Sequence, residues 1–577
     1  MSSFRIKQLL ILTITLFLLF LVAVACRPRQ DDNAIPVPDP FACLTLPERA
    51  TSNIELTPDL LKELYPVVPN QLILTGTPAD IEAILAFNPD LQGLLEPIVS
   101  PEEQLIAFPR PNQDEEPFVA GLYAVVDVPL PEVIQLLYET VIAYNEASGE
   151  TAVVFAHPNR LIATPWGIDA DPWGIDADPW GIDADPWGID ADPSGSDPAE
   201  IPGETVKGVW NQWALMEKGG IGLYDKTTAP PTRQVAVHGA GNDVFIFDTS
   251  PFAGTSTQSV LERQLCVYHP QLTVKITPTS RSHVQEHGLF VASLVRLVSP
   301  NGRLHLIRIL NEDGVGDVFS FLVVLNQLMQ VKGDMSNSVI NLSMSLQYFD
   351  AADPASADLG PTPEQQARLQ DLLPAEYHPY ILDNNIFLPL EGLLAEAHNA
   401  GAIIVAASGN SSDTTAGEDV VMGTPAILAS SVGVAGNNFD EARSCFSNKP
   451  SLESACLLES TSCTPNQGLF APAGEGRDGV KSCTYPFPWQ TPPPECPPSE
   501  SGGYDCQYAL TGVTTSGFAH WLGTSFATPL VSGTAVLMLD AAGSSCTPRE
   551  ITNWLNKVNG VLDVKTAVAF ATAGCVP

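Results

Sequence analysis

Asp248, His287, Asn410 and Ser525 are the residues of this chain best placed to do chemistry together. A serine hydroxyl becomes a useful nucleophile only when a base takes its proton, and that base needs a third group to orient it. Ser525 lies in Gly523-Thr524-Ser525-Phe526-Ala527-Thr528-Pro529, ahead of an apolar stretch to Leu539 that reads as a buried helix. A helix start carries unpaired N–H groups and the positive end of the dipole, which favour an alkoxide and an oxyanion. His287-Gly288 opens a second apolar helical segment. Asp248 follows the strand-like run Val244-Phe245-Ile246-Phe247, and Asn410 follows Ile403-Ile404-Val405-Ala406-Ala407 by way of Ser408-Gly409. Open α/β sheets build their sites at the carboxyl ends of such strands. Taken singly, each residue has a plainer use as a helix cap, a turn former or a core histidine.

Taken together, the four resemble the subtilisin-like serine proteases, in which acid, base and nucleophile follow the chain order Asp, His, Ser and an asparagine serves the oxyanion. The resemblance covers roughly residues 205–570 and is carried most specifically by Gly523-Thr524-Ser525-Phe526-Ala527-Thr528-Pro529, with His287-Gly288 and Gly409-Asn410. Gln212-Trp213-Ala214-Leu215 is similar to the family's mature N-terminal segment, Leu306 to Leu310 to the strand after the histidine helix, and Gly560 to Val568 to the closing helix region. It implies a doubly wound parallel α/β sheet with helices on both faces. It also implies a serine endopeptidase with Asp248, His287 and Ser525 as the triad and Asn410 in the oxyanion hole. Ser343, Met344 and Ser345 would pair with protein or peptide substrates as an added strand. The implied chemistry needs no cofactor, and structural calcium is common in the family.

Departures from the pattern are local. After the acid the family usually has Thr or Ser and then Gly; Thr249-Ser250-Pro251 lacks that glycine, and Asp243 is a rival; Leu289 and Phe290 replace the common residues behind the histidine; Ser345 replaces a glycine. A competing motif overlaps the histidine. His283-Val284-Gln285-Glu286-His287 reads as an inverted zinc-protease sequence, which needs a continuous helix and a third ligand. Gly288 and the apolar run beginning at Leu289 place a helix start here instead. The contrasting class is a catalytically silent surface-binding protein on the same fold.

The charge balance excludes other functions. With 66 acidic against 27 basic residues and a net charge of −39, the chain has no basic stripe to replace phosphate counterions, so nucleic acid is not an expected partner. Arg5 and Lys7 precede an apolar run from Leu9 to Ala25, which reads as a secretory signal. Ala23-Val24-Ala25-Cys26 resembles a bacterial lipoprotein cleavage box, with Cys26 as the lipidated residue and a membrane as partner. The 11 cysteines agree with an oxidising compartment. Six lie within 445–506 and read as a disulfide-stapled insertion; Cys546 and Cys575 are expected to bridge the C-terminal helices, and the remaining connectivity stays open.

The organisation follows: a signal over 1–26, a proline-rich tether over 27–40, a small α+β domain over 41–163, a linker over 164–204 and the catalytic domain over 205–577. In the small domain, Gln71–Leu74, Gly121–Val128 and Thr151–Phe155 read as strands, and Pro78–Phe87 and Pro131–Asn145 as helices. This domain resembles the family's propeptide, which would make the chain a zymogen and the propeptide its own partner. The linker repeats Pro-Trp-Gly-Ile-Asp-Ala-Asp from Pro165, Pro172, Pro179 and Pro186. A proline and a glycine in each unit forbid a helix, and no unit has the spacing of a calcium loop. Maturation cleavage is expected between Thr164 and Lys207.

Overall fold

Runs of apolar residues without alternation form strands buried on both sides, and such strands make the middle of the eight-stranded central sheet of a computed structural model of the chain. The structure describes residues 43–44, 54–56, 67–163, 213–250, 265–276, 287–346, 359–450, 468–474, 507–510 and 518–576, apart from short gaps within these ranges. The signal, the tether, Cys26, the repeats, His283, Glu286 and the cysteines from Cys456 to Cys506 lie outside them.

The N-terminal part contributes β1 (Ile54–Leu56), β2 (Val67–Gly76), α1 (Pro78–Phe87), β3 (Leu95–Val99), β4 (Ala107–Phe108), β5 (Phe118–Val125), α2 (Leu130–Ser148) and β6 (Phe155–Ala163). The last strand begins where the sequence reading ended it. Pro158 within it argues locally against a strand. Tertiary partners decide otherwise, because β6 pairs antiparallel with β2 along one edge and with two short strands of the following part near its end.

The following part contains β7 (Asp243–Asp248), β8 (Leu265–Tyr268), β9 (Val274–Ile276), α3 (His287–Val298), β10 (Arg303–Arg308), β11 (Val315–Asp317), α4 (Val318–Lys332), β12 (Ser338–Leu342), β13 (Ser345–Leu346), α5 (Pro363–Leu372), α6 (Leu388–Asn399), β14 (Ile403–Ala407), β15 (Ser431–Asn437), β16 (Leu469–Pro472), α7 (Thr524–Ala542), α8 (Pro548–Lys557), β17 (Gly560–Val561) and α9 (Val564–Thr572). The sheet order is β8-β10-β7-β12-β14-β15-β16-β17, with every neighbouring pair parallel.

Side chains alternate across a strand, so each strand feeds two cores. Phe245, Phe247, Ile340, Leu342, Ile404 and Ala406 join one apolar cluster, with α4 and α6. Val244, Ile246, Val339, Ile403 and Val405 join the other, with α3, α7 and α9. This is the doubly wound parallel sheet expected from the sequence. Helix α7 is apolar and long enough to cross a membrane by composition, but its most apolar window is 89% buried in the second cluster, as a core helix requires. Cys546 and Cys575 are joined, tying the residues after α7 to those after α9.

The first cluster also contains the apolar face of β2, β5, β6, α1 and α2, so the N-terminal part and the sheet's α4/α6 face bury one another. Contacts there are specific. Phe155 packs against Tyr377 and Tyr380, and Phe118 against Tyr377. Gly392 in α6 faces the Phe108 ring so closely that an added Cβ would meet it at 2.3 Å. Asn159 donates to Asp317 Oδ1 and accepts from the Phe319 N–H, helping to satisfy the start of α4 across the two parts.

His157 sits in this interface, stacked 6.2 Å from Phe155 and edge-on 5.0 Å from Phe387, its Nε2 buried without a hydrogen-bond partner. Burial, then the neighbouring Arg160, holds its pKa down at about 3. The unfolded chain therefore binds a proton near pH 6.5 that the folded chain refuses, so this contribution to stability is lost as pH falls below 6.5. Glu391, pushed up to about 7 by burial, acts in the opposite sense: its contribution is full below pH 4.5 and lost as pH rises through 7. Comparing His157→Gln with the parent chain removes the second effect. Thermal melts should show the variant gaining relative stability steadily as pH falls from 6.5 towards 4; a difference independent of pH would contradict the buried neutral imidazole.

Candidate functional site

The carboxyl ends of β7, β12 and β14 and the first turns of α3 and α7 converge on one place. Asp248 is the last residue of β7 and is fully buried. Its Oδ1 lies 2.7 Å from His287 Nδ1 and also accepts the Thr249 N–H at 2.7 Å. A carboxylate only accepts, so the proton of this contact is on Nδ1, which leaves Nε2 as the basic nitrogen. Asp243, the rival, starts the same strand, about 16 Å away at the rise of a strand. It is occupied by His305, Arg303 and Lys332. Burial pushes its carboxyl up, but His305 and Lys332 outweigh that and hold it at about 2.

His287 opens α3 and Gly288 explains how it can. A Cβ at Gly288 would lie 2.1 Å from the Thr249 carbonyl oxygen and 3.0 Å from Asp248 Cβ. The Gly288 N–H donates to Thr249 Oγ1 at 3.0 Å, so Thr249 satisfies a free amide at the helix start. The turn after Asp248 is thus fastened to α3 by Thr249, although Ser250 stands where the family usually has glycine. The imidazole rests 5.1 Å from the ring of Phe526, the residue after Ser525, and Phe290 packs edge-on against Phe526 at 4.7 Å. The departure at Phe290 therefore builds the wall behind the histidine.

Ser525 is the second residue of α7 and fully buried. In a helix its carbonyl would accept from residue 529, but Pro529 has no N–H. The Ser343 hydroxyl takes that place, donating to the Ser525 carbonyl at 2.8 Å. In return Ser525 Oγ donates to the Ser343 carbonyl at 3.3 Å. Ser343 is itself aligned by Asn341 Nδ2 at 2.9 Å, and Asn341 by the Ser532 hydroxyl at 2.8 Å. Ser343 therefore ties strand to helix with its side chain, beside any pairing its backbone offers.

Asn410 is oriented from one side. Its Oδ1 accepts from Thr524 N at 3.0 Å and Thr524 Oγ1 at 2.8 Å, while its Nδ2 is buried without a partner. An unpaired buried donor costs about 1–3 kcal/mol, so its retention beside Ser525 calls for a use. The loop carrying it is held by Asn448, which no local pattern singles out. Asn448 Nδ2 donates to the Ser408 carbonyl, its Oδ1 accepts from Ser411 N, and its N–H donates to the Gly409 carbonyl. Gly409 has φ 102°, and a Cβ there would meet Asn448 Nδ2 at 2.5 Å. Asn448 thus acts through the loop rather than at the site.

Met344 and Ser345 are buried, and Ser345–Leu346 pair antiparallel with Ala163 and Ile162. On its other side the same end of β6 pairs with Val315–Asp317. The chain's own residues 161–163 thus run between β11 and β13, two residues from Ser343. Among the described residues, no group of three or more His, Cys, Asp or Glu side chains could hold a metal ion. The calcium reading gains no ligand set there. For the zinc reading, His283 and Glu286 lie outside the described residues, while His287 opens a helix and commits Nδ1 to Asp248.

The Subtilase family profile matches residues 237–566, more than half of the 577-residue chain. A solved structure described as a cold adapted subtilisin-like serine proteinase is 18% identical, with a TM-score of 0.34, covering 61% of this chain and 98% of that one. The protease domain of PatA, solved as a serine-to-alanine mutant, is also 18% identical, with a TM-score of 0.35, covering 59% of this chain and 97% of that one. No curated protein matches the chain.

Replacing Gly288 with alanine should drive α3 away from Thr249. An overpacked contact of this kind costs about 1–3 kcal/mol, read as a lowered Tm. The downfield imidazole Nδ1–H resonance of the His287–Asp248 contact should weaken or vanish. An alanine variant that keeps both the resonance and the Tm would show that the helix start tolerates a side chain.

Proposed function

Because this chain belongs to the subtilase family of serine proteases, we propose that it is an exported endopeptidase made as a zymogen, with Asp248, His287 and Ser525 as its triad. Ser525 Oγ attacks the peptide carbonyl as His287 Nε2 takes its proton. Asp248 keeps the proton of the imidazole on Nδ1 and stabilises the imidazolium, which then protonates the leaving amine. The tetrahedral oxyanion is held by Asn410 Nδ2 and the Ser525 backbone N–H. Water repeats the sequence on the acyl-enzyme. The observation that carries this reading is the Asn410 amide, anchored through Oδ1 next to Ser525 with Nδ2 left unpaired.

Substrate backbone would add as a strand along Ser343, Met344 and Ser345, as the chain's own residues 162–163 do along Ser345–Leu346. That occupancy supports the zymogen reading, since the N-terminal part ends in the groove a substrate would use. Export and a lipid at Cys26 rest on the N-terminal sequence alone.

Asn410→Ala should lower kcat by about 10²–10³ with little change in KM, the magnitude found for the corresponding donor of subtilisin. A folded variant with unchanged kcat would remove Asn410 from the mechanism. Absence of hydrolysis and of labelling by a serine-directed phosphonate in the folded wild type, once residues 1–163 have been removed, would favour the silent surface-binding class.

Self-maturation makes a separate demand. The Ser525→Ala chain should accumulate uncut, whereas the wild type should show a new N-terminus within residues 164–207. Trimming of the variant at the same site and rate, in a host lacking other proteases, would sink the zymogen reading.

A further inference from the structure

The N-terminal part is held to the catalytic part at its beginning as well as its end. Cys43 is joined to Cys266 in β8, across a sequence separation of 223 residues. The next residue adds a second contact, Leu44 N–H donating to the Tyr268 hydroxyl at 3.0 Å. Tyr268 is backed by His305 Nδ1 at 2.9 Å, and His305 by Asp243. A third contact follows where β1 pairs in parallel with β9, Ile54 to Val274 through Leu56 to Ile276. The first two lie on β8, the edge strand of the central sheet, and the third on β9, which forms a separate two-stranded sheet with β1; β6 ends between β11 and β13.

We propose that the Cys43–Cys266 disulfide makes residues 43–163 a permanently held subunit of the protease. A cut anywhere between Ala163 and Trp213 then leaves one covalent molecule of two chains. The inference rests on the reading that the chain is cut in that interval. It follows from topology: the cut separates the sequence, but Cys43 stays on one product and Cys266 on the other. Residues 1–163 contain only one other cysteine, Cys26, so no alternative partner for Cys266 lies there outside the leader.

The consequence is a change in how inhibition is relieved. A clipped propeptide held by packing alone dissociates on dilution. One held by a covalent link stays at an effective concentration in the millimolar range, whatever the dilution. Cleavage of the linker therefore does not free the groove between β11 and β13. Separation needs either digestion of the subunit itself or reduction of the bond. With dithiothreitol, the Cys43–Cys266 S–S bond breaks, each sulfur gains one electron and one proton, and dithiothreitol closes to its own disulfide. An anchor on Cys26 would likewise remain joined to the catalytic part after processing.

The test imposes the cut, so it does not depend on self-maturation. A full-length Ser525→Ala chain carrying the recognition sequence of an unrelated protease after Ser196 is cleaved and denatured. It should run as one species without reductant and as two with dithiothreitol. Two species without reductant would overturn the proposal. The same chain with Cys43→Ser and Cys266→Ser should separate without reductant, and in native sedimentation should fall apart on dilution to nanomolar concentration, while the cysteine-containing chain stays one particle. Retention of the fragment by the double variant at that dilution would assign the hold to packing and overturn the role given to the disulfide. Failure of the zymogen reading would show separately, as a wild-type chain that never cuts itself.

Discussion

The Ser525 carbonyl has no helical donor, because Pro529 stands four residues on without an N–H. In a buried helix this vacancy must be filled, and the Ser343 hydroxyl fills it at 2.8 Å. That one bond joins the first turn of α7 to the end of β12. Around it the remaining contacts fall into place: Asn341 and Ser532 brace Ser343, and Thr524 takes hold of Asn410. A proline that looks like a defect in the helix is what obliges the strand and helix to meet where the serine sits.

The sheet supplies the other half of the arrangement. A strand alternates its faces but has only one carboxyl end, and the two aspartates of β7 show what that difference does. Asp243, at the amino end, is consumed by a buried His305 and by the half-buried Arg303 and Lys332. Asp248, at the carboxyl end, meets the start of α3 and orients an imidazole. The chemistry available to each carboxylate is set by which end of the strand it occupies. The approach of α3 is close enough that only glycine fits after His287.

The interface between the N-terminal part and the α4/α6 face is unusual in placing polar groups within an apolar cluster. His157, Asn159 and Arg160 are buried in β6 among Phe155, Phe387 and their neighbours. Asn159 Oδ1 accepts the Phe319 N–H at the start of α4, and its Nδ2 bridges to Asp317, the residue that caps that helix. Such groups make the docking geometry specific as well as favourable. They also place the end of β6 in register with Ser345.

The sequence by itself determined the apolar strands, the helix starts at His287 and near Ser525, and the family to which Gly523 through Pro529 belong, because these follow from local periodicity and short fixed spacings. It suggested a bridge between Cys546 and Cys575, which the structure forms. Tertiary structure alone decided the rest. Only the fold shows that Asn410 turns its Oδ1 to Thr524, that Asn448 clamps its loop, that Thr249 fastens the start of α3, and that Asp243 is engaged by His305, Arg303 and Lys332. Strand β6 runs from Phe155 through Pro158 to Ala163, against the local preference of proline, because its partners, up to about 180 residues away in sequence, outweigh that preference. The joining of Cys43 to Cys266 was equally hidden. A disulfide depends on which two thiols the packed chain brings within reach, and no spacing along the sequence records that distance.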